Sequence, residues 1–288
     1  MSEEQRTTAE EMSQYAETLK YPASQAEMKL QPDSDLSNYK AAGKLKDKVA
    51  LITGADSGIG RAVAIAFCKE GANVAILYNE NDEDAQETKR LCEKNGGKCL
   101  VIKSDVRVRT KCFDAIEQTV KEFGGLNILV NNAAFQMSQQ NFAEISEEQL
   151  RRTFETNIFG YFFMAQAAVP HLSKGDAIIN TGSIVGKTGI ELLIDYSASK
   201  AAIHAFTKSL AMNLGDKGIR VNCVVPGPVW TPNIPATMPI EEIKKFGHEV
   251  ALKRPGQPEE IAPAYVLLAS EDGSFMTGSL IDVTGGRL

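Results

Sequence analysis

Residues 49–60 read VALITGADSGIG: a short β-branched apolar run, then a glycine-rich turn, then the start of a segment with helical period. Gly54 can turn the chain with a positive φ, Gly58 lets the backbone approach a pyrophosphate, and Gly60 lets the helix pack close to the strand. The amides at the start of that helix, together with the positive end of its dipole, would face phosphate oxygens. The stretch therefore predicts a strand–turn–helix unit that binds a nucleotide, with a purely structural turn as the alternative. The sequence lacks a Gly-Lys-Ser/Thr ending, which argues against a nucleoside triphosphatase.

The same alternation of short apolar runs and helical segments continues to the end of the chain. Further strands are predicted at 73–77, 99–103, 127–131, 177–181, 220–225 and 279–283, and helices at 59–70, 82–95, 109–123, 146–171, 195–214 and 258–269. Apolar runs that alternate with helices are typical of a parallel sheet covered on both faces. We therefore expect an α/β protein: a single doubly wound Rossmann domain over residues 45–288, with a seven-stranded, mostly parallel sheet and a lid at about 229–250.

The first 44 residues differ from the rest in composition. Residues 1–43 contain no Val, Ile, Phe or Trp, and they carry eight acidic and four basic residues. Such a segment cannot build a core of its own. It is either a disordered tail or an arm that packs on the domain or on a neighbouring subunit through its larger apolar and aromatic residues, which are Tyr15, Tyr21, Leu30, Leu36 and Tyr39.

Composition excludes several classes of protein. The chain has 288 residues and a formal net charge of −6, and its basic residues do not cluster, so a nucleic-acid partner is disfavoured. The longest apolar run, residues 62–68, is far shorter than the ~20 residues that cross a bilayer, and the N-terminus does not resemble a signal peptide. Five cysteines without a CxxC pair and three scattered histidines predict reduced thiols and no metal site. We expect a cytoplasmic protein that acts on a small molecule.

A second group of polar residues lies near the predicted ends of later strands. Ser183 follows the strand at 177–181, and Tyr196 and Lys200 share one face at the start of an apolar helix. A free tyrosine has a pKa of ~10, but a nearby ammonium group and an oxidised nicotinamide would favour its phenolate. Lowering that pKa by ~3 units requires ~4 kcal/mol of differential stabilisation. Ser183 could then hydrogen-bond a substrate oxygen while Tyr196 passes a proton; the alternative is an ordinary Tyr/Lys pair at the surface or core edge.

In combination these motifs resemble the short-chain dehydrogenase/reductase family over residues ~45–288. The family's order and spacing are matched by TGADSGIG (53–60), NNAA (131–134), Asn157, Ser183, Tyr196-x-x-x-Lys200 and PGPVWT (226–231). The N-terminal extension, LIDYSASK (193–200) and RPGQPEEIAPAYVLLAS (254–270) are similar to one bacterial and plant subgroup. That subgroup includes general stress proteins, glucose/ribitol dehydrogenase homologues and aldehyde reductases.

The resemblance implies an NAD(P)-dependent oxidoreductase that interconverts an alcohol, polyol or sugar and its aldehyde or ketone by hydride transfer, in a homotetramer. It implies a catalytic tetrad in which Tyr196 is the acid/base and Asn157 holds a water of a proton relay; the tetrad is Asn157, Ser183, Tyr196 and Lys200. The expected cofactor contacts are Gly54, Asp56, Ser57, Gly58, Ile59, Gly60, Tyr78, Asn79, Asp105, Val106, Asn132, Ala133, Tyr196, Lys200, Pro226, Gly227, Val229 and Thr231. Ala134 departs from the glycine that is usual in the family.

The choice between NAD and NADP depends on the end of the second strand. Family members that prefer NAD usually carry an acid at the position of Tyr78, and those that prefer NADP often carry Arg at the position of Asn79. This sequence has neither, but Asp56 and the acids within 80–84 would disfavour a 2′-phosphate unless Arg107 or Arg109 turns inward. The charge pattern favours NAD, whereas the subgroup precedent favours NADP.

Substrate contacts are expected from residues that follow the strands near the predicted tetrad. These are Gln136, Ser183, Val185, Glu191 and Trp230, each with packing as the alternative, and Trp230 could equally fill a subunit contact. A second function class also stays open: a cofactor-binding stress or regulatory protein without significant turnover.

Overall fold

Seven strands form one sheet in the order β3-β2-β1-β4-β5-β6-β7, and every neighbouring pair is parallel. The computed structural model describes residues 9–287. The strands are β1 (Val49–Thr53), β2 (Asn73–Tyr78), β3 (Cys99–Lys103), β4 (Ile128–Asn131), β5 (Ala177–Thr181), β6 (Arg220–Pro226) and β7 (Leu280–Val283). The strand order reverses between β1 and β4, and this is where open α/β sheets bind ligands at the carboxyl ends of their strands.

Helices cover both faces of the sheet. In chain order they are α1 (Ala9–Gln14), α2 (Gly58–Lys69), α3 (Asp82–Lys94), α4 (Arg109–Phe123), α5 (Glu147–Phe154), α6 (Gly160–Ala168), α7 (Val185–Thr188), α8 (Ile194–Leu214), α9 (Asn233–Thr237), α10 (Ile240–Ile243) and α11 (Pro258–Ala269). One apolar layer contains buried side chains of α2, α3 and α11, and the other contains those of α4, α6 and α8. The doubly wound fold is thus confirmed, with a sheet that is parallel throughout.

Strand β1 shows why an unbroken apolar run was the right signal. All five of its residues are buried. Ala50 and Ile52 point into the layer of α2 and α11, while Val49 and Leu51 point into the layer of α4 and α6. Because both faces of the strand are covered, apolar side chains are favoured on both, and the one polar residue, Thr53, stands at the end next to the cavity, where its hydroxyl accepts from the Asn132 and Ala133 amides.

The helix predicted over 146–171 is interrupted. Residues Glu155–Phe159 form a π-helical turn between α5 and α6. Such a turn inserts one extra residue and is common at functional sites. Here it contains Asn157, one of the expected tetrad residues, which is fully buried.

The N-terminal arm, residues 15–44, packs on the domain. Leu36 is 1% exposed and joins the core layer of α2, and the Lys69 ammonium donates to the Leu36 carbonyl at 2.7 Å. The Tyr39 hydroxyl donates to the Glu70 carboxylate. Tyr15, by contrast, stays 43% exposed. Among residues 9–287, no helix is both long enough and apolar enough to cross a membrane.

Candidate active site

A cavity of about 850 Å³ lies at the carboxyl ends of β1 to β6. It extends from the glycine-rich turn, past the ends of β2 and β3, to the start of α8 and the segment 226–249. Most of the expected site residues line it: Gly54, Asp56, Ser57, Gly58, Ile59, Tyr78, Asn79, Asp105, Val106, Asn132, Ala133, Gln136, Ser183, Val185, Tyr196, Lys200, Pro226, Gly227, Val229 and Thr231. The fold therefore brings the ends of six strands to one elongated site.

The glycine-rich turn leaves no room for side chains on its inner surface. Gly54 has a φ of +61°, and a Cβ there would lie 2.8 Å from the Ala133 Cα atom. A Cβ on Gly60 would lie 2.2 Å from the Gly54 carbonyl oxygen. The Asn132 side chain fixes the turn from behind, because its Nδ2 donates to the carbonyls of Thr53 and Gly54 at 3.0 and 2.9 Å. A rigid glycine-rich turn at a helix start suits the pyrophosphate of a dinucleotide.

Carboxylates dominate the end of the cavity beside β2. The Tyr78 hydroxyl donates to Asp82 at 2.7 Å, and the Asn79 amide donates to Glu80 at 2.8 Å. Burial raises the pKa of Asp56 to about 6, and the nearby Asp84 adds to this effect. Arg107, one of the two bases that could turn toward a 2′-phosphate, instead makes a bidentate contact with Asp105. Acidic residues thus line the cavity near the end of β2, as the sequence predicted from Asp56 and the acids within 80–84.

Lys200 is buried beside Tyr196. Its side chain is 1% exposed, and its ammonium nitrogen donates to the Thr181 carbonyl at 2.8 Å and lies 5.5 Å from the centre of the Tyr196 ring. Burial lowers the pKa of Lys200 to about 8. The lysine is therefore held in place at the end of β5, with its charge only weakly favoured near neutral pH.

The pKa of Tyr196 moves in the direction opposite to the one expected for the working enzyme. Burial raises it to about 12, and a hydrogen bond with Ser183 only partly offsets this. The sequence argument relied on two positive charges, those of the lysine and of an oxidised nicotinamide. In the protein alone, desolvation of the phenolate outweighs the effect of the ammonium group.

Asn157 lies one layer behind the cavity. Its Oδ1 accepts from the Phe135 amide at 2.8 Å, and its Nδ2 donates to the Phe135 carbonyl and to the Ser199 hydroxyl, both at 2.9 Å. It thus joins the loop after β4 to the helix that carries Lys200. Its neighbour Thr156 contributes to the cavity wall instead.

Two of the five expected substrate residues are corrected. The side chain of Trp230 is 1% exposed and turned toward the arm, where its Nε1 donates to the Leu30 carbonyl at 2.9 Å. Glu191 is exposed in the short 3₁₀ turn Glu191–Leu193, and the apolar Ile190 and Leu193 line the cavity on either side of it. Neither residue is part of the cavity wall. The Trp230 indole is buried in an apolar cluster with Met28, and the Glu191 carboxylate is exposed to water.

Gln136 and Val185 do line the cavity, as expected. Gln136 is 5% exposed, and its amide donates to the Thr237 hydroxyl of α9 at 2.8 Å. Further apolar residues of the wall are Ile184, Ile190, Leu193, Ile234, Met238 and Phe246, and the segment that ends at 249 also brings polar side chains to it, those of Glu242, Lys245, His248 and Glu249.

The sequence argument missed the contribution of the arm. Tyr21, Pro22 and Ala23 line the same cavity as the glycine-rich turn, and Arg287 lines it from near the C-terminus. The larger apolar and aromatic residues of the arm, Tyr21 among them, indicated that it could pack on the domain. They did not indicate which surface it would cover.

The chain is similar to known proteins over most of its length. The family model described as enoyl-(acyl carrier protein) reductase matches residues 54–287. The chain is similar to general stress protein 39 of Bacillus subtilis, with 52% identity over 92% of this chain and 93% of that protein. It is 48% identical to the glucose and ribitol dehydrogenase of Daucus carota, over 89% of this chain and 90% of that protein.

One further relative matches nearly the whole chain, whereas a solved structure matches a smaller part of it. The NADPH-dependent aldehyde reductase 1 (chloroplastic) of Arabidopsis thaliana is 44% identical over 97% of this chain and 98% of that protein, a match that must include most of the first 44 residues. A short-chain dehydrogenase from Burkholderia cenocepacia, crystallised with NADP, superimposes with a TM-score of 0.80 and 31% identity, covering 84% of this chain and 98% of that one. The chain therefore belongs to the short-chain dehydrogenase/reductase family and is an NAD(P)-dependent oxidoreductase.

Proposed function

We propose that this protein interconverts a small alcohol, polyol or sugar and the corresponding aldehyde or ketone, with Tyr196 as the acid/base. The observation that carries the proposal is the pairing of Tyr196 and Ser183 at the cavity wall, with Lys200 buried behind the tyrosine ring. A phenol and a hydroxyl that share one cavity can both hydrogen-bond a single substrate oxygen. The names of the carrot and Arabidopsis relatives, a sugar or polyol dehydrogenase and an aldehyde reductase, favour the same class of substrate.

The residues present fit a nicotinamide dinucleotide. The glycine-rich turn would hold its phosphates, Asp105 and Val106 would contact its adenine, and Lys200 would hold its nicotinamide ribose. When bound, the cofactor gives or takes the hydride. We favour NAD, because the carboxylates of Asp56 and Glu80 line the same cavity as Asn79 and because Arg107 is paired with Asp105.

The roles of the protein groups follow from their positions. Ser183 would hold the substrate oxygen, and Tyr196 would give that oxygen a proton during reduction or remove one during oxidation. The positive charge of Lys200 would stabilise the phenolate. Asn157 would act through structure, because it fixes the Phe135 loop and Ser199 of α8. A relay water on Asn157 remains a prediction.

The mixed wall of the cavity limits the substrate. Apolar side chains such as those of Ile184, Leu193 and Met238 line it together with the polar side chain of Gln136. This mixture suits a short carbonyl compound or a small polyol.

We also propose a homotetramer and a cytoplasmic location. The five buried, free cysteines agree with a reducing compartment.

The experiment is a turnover assay on a substrate panel, with nucleotide binding measured in the same preparation. Aldehydes and ketones are tested with NADH and NADPH, and polyols and sugars with NAD⁺ and NADP⁺. We expect reduction of at least one short aldehyde or oxidation of one polyol, with the product identified by NMR. Nucleotide binding without turnover of any member of the panel would contradict the proposal and favour a cofactor-binding stress or regulatory protein.

A further inference from the structure

The N-terminal arm crosses the cofactor cavity. Tyr21, Pro22 and Ala23 form part of its wall, together with Asn79 and Asn81, which follow β2, and Asp105, which follows β3. The Asn81 side chain donates to the Ala23 carbonyl at 3.0 Å, which ties the arm to the start of α3. The arm therefore lies over the half of the cavity that is expected to receive adenosine.

Tyr21 is fixed by two side chains of the domain. Its ring meets that of Phe135 edge to face, with 5.3 Å between centres, and the Arg152 guanidinium lies 5.0 Å from the Tyr21 ring and 4.6 Å from the Phe135 ring. Asn157 holds both backbone polar groups of Phe135. Edge-to-face and cation–π contacts of this kind stabilise the position of the Tyr21 ring.

Gln25 attaches the arm to the glycine-rich turn itself. Its side chain is 3% exposed, and its Oε1 accepts from the Gly58 amide at 2.9 Å. The backbone amide of Gln25 donates to the Asp84 carboxylate at 2.6 Å, and Asp84 forms a buried ion pair with Arg61 at 3.1 Å. The contact with the turn thus belongs to a buried network, in which removing one partner leaves a polar group unsatisfied.

Residues of the arm on both sides of this segment pack on the predicted lid, residues 229–250. The Leu19 amide donates to the Pro235 carbonyl of α9 at 2.9 Å, and the Trp230 indole donates to the Leu30 carbonyl at 2.9 Å. Met28 is 4% exposed and packs in one apolar cluster with Trp230, Ile234 and Ile243. The same arm therefore contacts both the turn that would hold the phosphates and the lid over the reacting end.

We propose that residues 21–25 are a working part of the cofactor site: Tyr21, Pro22 and Ala23 form its outer wall over the adenosine half, and Gln25 latches that wall to Gly58. The inference rests on the proposed function in so far as the ligand is a nicotinamide dinucleotide. Bound nucleotide leaves when this segment lifts, so the arm sets the rate of dissociation. A purely structural arm would affect the stability of the protein but not this rate.

The first test measures nucleotide dissociation by stopped-flow displacement, following the fluorescence of bound NADPH or NADH. We expect the dissociation rate to rise about tenfold in Tyr21→Ala and in Gln25→Ala, since each loses contacts worth about 1.4 kcal/mol. Tyr21→Phe keeps the ring and stays near the wild-type rate. The control is Tyr39→Phe, which removes the hydrogen bond to Glu70 on the same arm but lies outside the cavity wall.

The second test needs no variant. Lys20 and Lys29 are exposed on either side of the proposed wall, and Lys40 is exposed further along the arm. Saturating nucleotide should slow tryptic cleavage after Lys20 and Lys29, because cleavage requires the segment to open locally, and should leave cleavage after Lys40 unchanged.

The outcomes separate the two proposals. Wild-type dissociation rates in both alanine variants, or equal cleavage with and without nucleotide, would overturn the role of the arm while leaving the oxidoreductase proposal intact. If the wild-type protein bound neither NADH nor NADPH, both the role of the arm and the oxidoreductase proposal would be overturned.

Discussion

The Lys200 ammonium lies 5.5 Å from the centre of the Tyr196 ring, and burial acts on the two groups in opposite directions. It lowers the pKa of the lysine to about 8 and raises that of the tyrosine to about 12. In both cases the low-polarity surroundings disfavour the charged form. The protein alone therefore disfavours the Tyr196 phenolate and leaves the Lys200 ammonium only weakly favoured near neutral pH. The positive charge of an oxidised nicotinamide would be needed to favour the phenolate.

Replacing Lys200 by Met should change how stability depends on pH. Because folding lowers the lysine pKa from 10.5 to about 8, the unfolded chain binds more protons between these values, and wild-type stability rises with pH in this window. Lys200→Met lacks this gain. Its unfolding free energy relative to wild type should therefore fall by about 2 kcal/mol between pH 7 and pH 10. Urea denaturation at several pH values measures this, with Lys208→Met, an exposed lysine of the same helix, as the control. A difference that does not vary with pH would contradict a buried ammonium.

Replacing Tyr196 by Phe should lower turnover by about 10²-fold or more, the usual scale of general acid/base catalysis, while nucleotide still binds. The matched control is Tyr161→Phe. The Tyr161 hydroxyl donates to the Thr181 carbonyl at 3.2 Å, and its ring lies 5.7 Å from the Lys200 ammonium, but it is not part of the cavity wall. Steady-state kcat at saturating cofactor, together with fluorescence titration of the nucleotide, gives the answer. Near-normal turnover in a folded Tyr196→Phe protein would exclude the acid/base role.

The sequence predicted the elements whose signal is local. Strand β1 was evident because a strand buried on both faces is mostly apolar, and α8 because it has the length and period of a helix. The π-helical turn around Asn157 was not evident, and the hydrogen bonds between Asn157 and the distant backbone of Phe135 were not evident either. A tertiary contact of this kind leaves no periodic trace in the sequence.

The same reason explains the errors in the candidate site. Trp230 follows β6 in a loop that does approach the cavity, and its neighbours Val229 and Thr231 line it. The side to which the indole turns is decided by Leu30 and Met28, which lie about 200 positions away in the arm. Sequence spacing predicts which loops meet at the ends of the strands, but it does not predict how a long arm covers them.

Replacing Asn79 by Arg should shift the cofactor preference toward NADP. Asn79 lines the cavity at the end of β2, and its side-chain amide donates to the Glu80 carboxylate. A guanidinium there would provide a charged donor for a 2′-phosphate, an interaction worth about tenfold or more in affinity. Dissociation constants for NADPH and NADH measure the ratio, and Asn79→Met is the uncharged control. Equal ratios in the two variants would show that this position does not face the 2′-oxygen, and tight binding of NADP alone by the wild-type protein would refute the preference for NAD.

The proposed homotetramer should depend on exposed apolar side chains of the π-helical turn, α6 and α8. Phe159 is 50% exposed, Phe162 42% and Met212 77%, and large apolar residues exposed on a folded protein are candidates for an interface. We expect light scattering after size exclusion to give about four times the 31.3 kDa chain mass. Phe159→Glu places a charge in that interface and should reduce the assembly to dimers or smaller. Phe142→Glu, which alters a more exposed phenylalanine in the loop before α5, is the control. A monomeric wild-type protein, or a tetramer that Phe159→Glu leaves intact, would rule out this helix face as the subunit contact.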